Sequence, residues 1–406
     1  MAKKMYAYVG NWNFFPADKG ISCYTYDPET GSLGFIETIE PEVCAGQIWI
    51  HPEKPILYAV NEKGDLDGKM GGGGYVLAYS IDPESGKLTR ISNIESLCTE
   101  PCYVVVDKSR KHVLVSQHAD PFYVTRVVKH GDGTWGNQII MEEAGLALIG
   151  LNEDGSLDRI KDMYFTKTNG GLEGDSKKLV DPVTGHVQLT RVISRQHSVM
   201  PSPSENFYVV CDKGMDRVYT FGVDADNSKL ILLDEYLDDL GVFPRYSTFH
   251  PEKKVLYTNN ERKCEIHVFN YTEEGKIGLI QKVDILTDEY KGKEYSINVR
   301  PMGAQDILAH PNGKAVYCTI EGGDNLLATL KVQEDGTLTL VQNIDCEGIM
   351  PRGICISPDG RFLLSGNLTS GDVTVFAIDE DGMLSYTGQK FEAVSPSAIR
   401  IFEADH

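Results

Sequence analysis

The chain has 406 residues and carries 59 Asp and Glu against 39 Lys and Arg, a formal net charge of −20. That balance excludes a nucleic-acid binder, which needs a basic footprint, and any anionic ligand must be met by local arginines working against the background field. No stretch approaches the ~18 apolar residues of a membrane span, the start MAKKMYAYVG runs into a strand-like segment without a secretory leader, and nine scattered cysteines read as reduced cytoplasmic thiols rather than a disulfide framework.

From the N-terminus onward one turn recurs. It appears as DPETGSL (27–33), DPESGKL (82–88), NEDGSL (152–157), DADNSKL (224–230), TEEGKI (272–277), QEDGTL (333–338) and DEDGML (379–384). Glycines at 31, 86, 155, 275, 336 and 382 suit a left-handed backbone, and Asn227 is expected to take that place in the remaining copy. A second turn joins a first strand to a second, as in HPEKPILYAV (51–60), DKSRKHVLVS (107–116), SPSENFYVV (202–210), HPEKKVLYT (250–258), HPNGKAVYCT (310–319) and SPDGRFLLSG (357–366). The first unit lacks it, whereas SPSAIRIF (395–402) begins a unit that has no continuation. The simplest closure sets this last strand beside residues 5–9, which ties a ring shut and removes an open edge.

The fold class predicted is therefore all-β: a seven-bladed β-propeller with four-stranded antiparallel blades, the first blade closed by the C-terminal strand. Residues 1–406 form one domain, with an enlarged third blade and a loop insert around 117–190. Long inserts are usually functional or disordered; this one reads as a cap over the mouth, a subunit contact or a solvated excursion. Trp49 and Tyr58 read as core. The glycine-rich GKMGGGGYV (68–76) opens a strand, not a helix, and reads as a flexible corner rather than a phosphate loop.

Chemistry is expected where strand ends meet. In FPRYSTFHPEKKVLYTNNERKCEIHVFN (243–270), Arg245 precedes one strand and Glu261 follows the next. Antiparallel pairing puts the start of one beside the end of the other, so the two should meet at one sheet edge. The same two repeat positions elsewhere hold Glu62, His118, Asp212-Lys213, His197, Gln305-Asp306 and Arg352. A propeller would gather these residues, far apart in the chain, around one axial funnel.

The motifs RQHSVMPSPSENFYVV, FPRYSTFHPEKKVLYTNNE, RPMGAQDILAHPNGKAVYC and MPRGICISPDGRFLLSGN resemble the lactonase family of seven-bladed β-propellers. That family includes bacterial 6-phosphogluconolactonases and fungal 3-carboxy-cis,cis-muconate lactonising enzyme. The resemblance implies a catalytic set of His197, Arg245, Glu261 and Arg300, with Arg352 also in the family pattern. Gln305, Asp306, Glu62 and His118 are candidates for substrate binding. Phe243 departs from the pattern, which often has Gly or a small residue before the Pro-Arg pair.

The reading that follows is a cytoplasmic hydrolase opening a sugar lactone, 6-phosphogluconolactone foremost. His197 or Glu261 would take the proton of water, and arginines would hold the oxyanion or an anionic group. No cofactor or metal is called for, the partner is a small-molecule lactone, and a homo-oligomer stays open. A muconate-type lactonising enzyme, a non-catalytic binding scaffold and a metal-dependent lactonase remain alternatives at this point.

Overall fold

Short β-branched and aromatic runs separated by tight turns cannot bury both faces alone, so each unit becomes a small twisted sheet that packs against its neighbours. The computed structural model describes residues 4–12, 20–66, 69–70, 72–119, 123–141, 144–166, 177–180, 187–190, 193–293 and 302–404. All elements among them are strands. Seven four-stranded antiparallel sheets, here blades one to seven, form a ring whose innermost strands pack neighbour to neighbour around the axis. Blade five is typical: Pro244–Phe249, Val255–Asn260, Glu265–Tyr271 and Ile277–Asp284 run outward from the axis. Its first two strands are fully buried, whereas the outermost alternates between exposed and half-buried residues because only one face meets the next blade.

The ring closes as the repeats imply. Pro396–Ala404 is the innermost strand of blade one and pairs antiparallel with Lys4–Asn11, Tyr6 opposite Phe402 and Val9 opposite Ile399. Chain ends held in one sheet leave no frayed blade.

The recurring turns also join blades. A buried tyrosine on the second strand of one blade donates to the carbonyl of the turn glycine in the next: Tyr8 to Gly86 at 2.9 Å, Tyr58 to Gly155 at 2.7 Å, Tyr257 to Gly336 at 2.9 Å and Tyr317 to Gly382 at 2.8 Å. At Gly86, φ is +71° and a Cβ would stand 2.2 Å from the Tyr6 ring, so both backbone and space call for glycine. The expectation for Asn227 needs correcting. In that copy the left-handed residue is Ser228, at φ +52°, because it is Ser228 that stands at the glycine position of the turn. The histidines of the second turn are caps: Nδ1 of His250 accepts the amides of Glu252 and Lys253 at 3.0 and 2.8 Å, and Nε2 then donates to the carbonyl of Gly313 at 3.1 Å in the next blade.

Within blade three, the hairpin Tyr123–Lys129 with Trp135–Met141 is inserted between Val115-bearing His112–Gln117 and Gly145–Leu151. A further pair, Lys177–Val180 with Val187–Thr190, precedes blade four. Of the two residues read as core, Tyr58 is fully buried but Trp49 is only half-buried, one ring face lying under the Arg400 guanidinium at 5.5 Å. Lys69–Met70 of the glycine-rich stretch pairs with Asp65–Leu66; Gly68 and Gly71 lie outside the described residues.

Candidate active site

At one end of the axis a cavity of about 120 Å³ is lined by Trp12, Glu62, Glu100, His118, His197, Lys213, Arg245, Glu261, Gln305 and Arg352. Two repeat positions build it. Glu62, His118, Lys213 and Glu261 each follow the second strand of blades two to five. His197, Arg245, Gln305 and Arg352 lie near the start of the innermost strand of blades four to seven. These innermost strands carry a register shift at that point, as between Pro244 and Ser247, and such a bulge re-aims side chains toward the axis.

Glu261 is held by two cations. Its Oε2 accepts from Lys213 Nζ at 2.8 Å and lies 3.3 Å from Arg245 Nε. Arg245 is only 1% exposed, donates through Nη1 to the carbonyl of Gln305, and stacks over the Tyr246 ring at 4.6 Å. Burial pulls the Lys213 ammonium below the usual lysine range, with the Glu261 charge opposing that shift. Phe243, at the foot of this strand, has φ +57° and is therefore strained for a side-chain-bearing residue. Its amide donates to Asp216 Oδ1 at 3.2 Å, its carbonyl accepts from the Glu261 amide at 2.9 Å, and its ring lies under the Arg262 guanidinium at 5.1 Å. A glycine in that place would meet the backbone demand without strain.

His197 is 5% exposed and sits edge-on between the His118 ring at 5.4 Å and the Tyr246 ring at 5.5 Å. Burial, reinforced by Arg245, Lys213, His118 and Arg352, holds its pKa well below the usual histidine value, so it stays neutral in neutral solution. Its Nδ1 is buried without a hydrogen-bond partner among the described residues. His118 Nδ1 lies 3.1 Å from Glu100 Oε2.

Across the cavity, Glu62 rests against the backbone of Gly46, where a Cβ would come within 1.9 Å of Oε2. Loss of hydration raises its pKa to about 7, against the lowering influence of Arg352 and of a hydrogen bond with Trp12. The Arg352 guanidinium covers the Trp12 ring at 4.0 Å.

Of the residues expected in the site, His197, Arg245, Glu261, Arg352, Gln305, Glu62 and His118 line this one cavity. Arg300 lies outside the described residues. Asp306 is not among the lining residues: its carboxylate accepts the amides of Ile307 at 2.8 Å and Ile354 at 2.9 Å, and it braces blade six against blade seven. Lys213, expected at the funnel by its repeat position though not as a site residue, lines it as well, whereas Trp12 and Glu100 were not foreseen. Trp12 follows Asn11 as Glu62 follows Asn61 and Glu261 follows Asn260, so the repeat position itself was the available signal. Glu100 precedes Pro101 as Phe243 precedes Pro244 and Met350 precedes Pro351, a repeat position that is apolar in those two copies.

A family profile described as "Lactonase, 7-bladed beta-propeller" matches residues 6–401. The chain belongs to this lactonase family. Its relatives include the 6-phosphogluconolactonase of Formosa agariphila, 23% identical over 405 residues and covering 98% of this chain and 100% of its own. The 6-phosphogluconolactonase of Bacillus subtilis is 25% identical over 384 residues, covering 93% and 92%. Among solved structures, the periplasmic gluconolactonase of Pseudomonas aeruginosa superposes with a TM-score of 0.80 at 24% identity, covering 99% of this chain and 100% of that one. At that identity the structural likeness speaks for the shared propeller alone. As a member of the lactonase family, the chain carries its ionisable cavity in the setting of a complete seven-bladed ring.

Proposed function

We propose that this lactonase-family propeller hydrolyses a sugar lactone, 6-phosphogluconolactone foremost, in carbohydrate metabolism. The observation that carries the reading is the convergence of one neutral histidine, three cations and three carboxyl groups, from four blades and one connection, on a single small cavity. Of the two candidate bases, the surroundings favour His197. Glu261 already accepts from Lys213 and faces Arg245, so its electron pairs serve those cations, whereas His197 is neutral and packed edge-on by aromatic rings. His197 would take a proton from water as its oxygen adds to the lactone carbonyl. Arg245, oriented by Glu261 and the Gln305 carbonyl, would stabilise the oxyanion, and Lys213 and Arg352 would meet an anionic substituent. All nine cysteines are buried free thiols, which suits a reducing cytoplasm.

The test is proton release on adding freshly prepared 6-phosphogluconolactone or glucono-δ-lactone to the purified protein in weak buffer. The expected result is a rate above buffer alone that scales with protein and is lost in His197→Ala with the β-sheet circular dichroism unchanged. Wild-type rates equal to buffer with both lactones would overturn the proposal. Loss of diene absorbance from a muconate under the same conditions would favour lactonisation instead.

A further inference from the structure

Hydrolysis of an aliphatic lactone has a second proton problem. The bond that breaks expels an alkoxide, a poor leaving group that needs a proton as it departs. The base that activates water sits on blade four, and the group that protonates the ring oxygen should face it from another part of the cavity wall.

The three carboxyl groups of the cavity are not equivalent. Glu261 is paired with Lys213 and Arg245, and Glu100 with His118. Among the described residues, Glu62 makes no ion pair, and it comes from blade two, across the ring from the Lys213–Glu261–Arg245 cluster. It is also seated with care. Gly46 leaves just the space its Oε2 fills, Trp12 hydrogen-bonds it, and its own amide donates to the Cys44 carbonyl at 2.9 Å, while the neighbouring Asn61 side chain accepts the Cys44 amide at 2.9 Å. A residue serving only as a solvated strand end would need none of this.

We propose that Glu62, in its protonated form, is the general acid that delivers a proton to the departing ring oxygen. The proposal rests on the lactonase reading above. In the first step, water oxygen bonds to the carbonyl carbon and His197 takes the proton. In the second, the carbon–ring oxygen bond breaks, the electron pair goes to the ring oxygen and the Glu62 proton joins it, giving a hydroxy acid from lactone and water. Imidazolium and carboxylate then re-equilibrate through solvent. The groups facing Glu62 fit this role: Arg352 and Arg245 favour its anion, Glu100 and the loss of hydration favour its acid, and the balance keeps a substantial protonated fraction at neutral pH.

The test compares two lactones that differ in leaving group, δ-valerolactone (an alkoxide) and dihydrocoumarin (a phenoxide, whose acid has a pKa of about 10), beside the sugar lactone. For Glu62→Gln the proposal expects kcat with the sugar lactone and δ-valerolactone to fall by about 10²–10⁴-fold, dihydrocoumarin to fall less than tenfold, and the alkaline fall in kcat/KM to vanish. Glu62→Asp, which keeps the acid, should recover part of the loss. Equal losses on both leaving groups, or an unchanged alkaline limb, would overturn the role while leaving the hydrolase reading intact. Wild-type protein inactive on all three lactones would overturn the hydrolase reading itself. Thermal melting of each variant separates misfolding from chemistry.

Discussion

Replacing Arg245 by Lys keeps the charge but removes the planar fork, and the structure says what that should cost. The guanidinium simultaneously reaches the Gln305 carbonyl, faces Glu261 at 3.3 Å and stacks on Tyr246. A lysine offers one ammonium on a flexible stem and cannot satisfy all of these directions. Losing the charged bond to a buried carbonyl costs about 1.5–3 kcal/mol of stability. For 406 residues the unfolding entropy is roughly 0.85 kcal/mol per kelvin, so Tm should drop by about 2–4 °C. Catalysis should suffer more: loss of one aligned oxyanion donor raises the barrier by about 2.7–4 kcal/mol, or about 10²–10³-fold in kcat. Initial-rate kinetics on 6-phosphogluconolactone together with a melting curve read both effects. A variant with the lowered Tm but wild-type kcat would show that Arg245 is only the partner of Glu261 in an ion pair, and the catalytic reasoning would fail.

Further outcomes follow from the same geometry. The kcat/KM profile should be bell-shaped: it falls in acid as His197 becomes protonated below the usual histidine pKa, and falls in alkali above about 7 as Glu62 loses its proton, which a pH series with the sugar lactone would show. Gly46→Ala should lower activity at least tenfold with little change in fold, because the added Cβ would meet Glu62 Oε2 at 1.9 Å and displace it; wild-type activity would mean that Glu62's seat is immaterial. Tyr257→Phe should cost about 1–3 kcal/mol in urea unfolding by leaving the Gly336 carbonyl without its donor between blades five and six. Acid should destabilise the fold. His51 has its pKa lowered from 6.5 to about 4, chiefly by burial, so the unfolded chain binds the extra proton and on the order of 3 kcal/mol is lost as pH falls from 6.5 to about 4. Stability measured from pH 7 to pH 4 checks this.

The ring and its closure were legible because turn chemistry is local and repeats. A glycine-bearing turn after every third strand and a lone final strand leave few topologies. The exception is informative: the left-handed place in blade four is held by Ser228, and the neighbouring Asn227 was the wrong choice because residue preference was allowed to outrank position in the repeat. The same lesson applies at the site. Position alone would have found Trp12, which occupies in blade one the place of Glu62 and Glu261. Asp306 shows the limit of position. It stands beside Gln305 in a bulged segment, and only backbone coordinates show that Gln305 turns to the cavity while the Asp306 carboxylate caps two amides. Glu100 precedes Pro101 as Phe243 precedes Pro244 and Met350 precedes Pro351, but the other two copies hold apolar residues there, so the position gave no hint of a carboxylate in the cavity.

If the lactone ring opens in this axial cavity, its product should be captured there. A crystal structure with the hydrolysis product, 6-phosphogluconate, decides the point. The expected result is the product's carboxylate beside Arg245 and within reach of His197, with the chain of hydroxyls directed toward Glu62 and Arg352. Product bound instead in the lateral groove between blades one and seven, which is lined by Tyr24, Phe35, Phe391 and Val394, with the axial cavity unchanged, would contradict it.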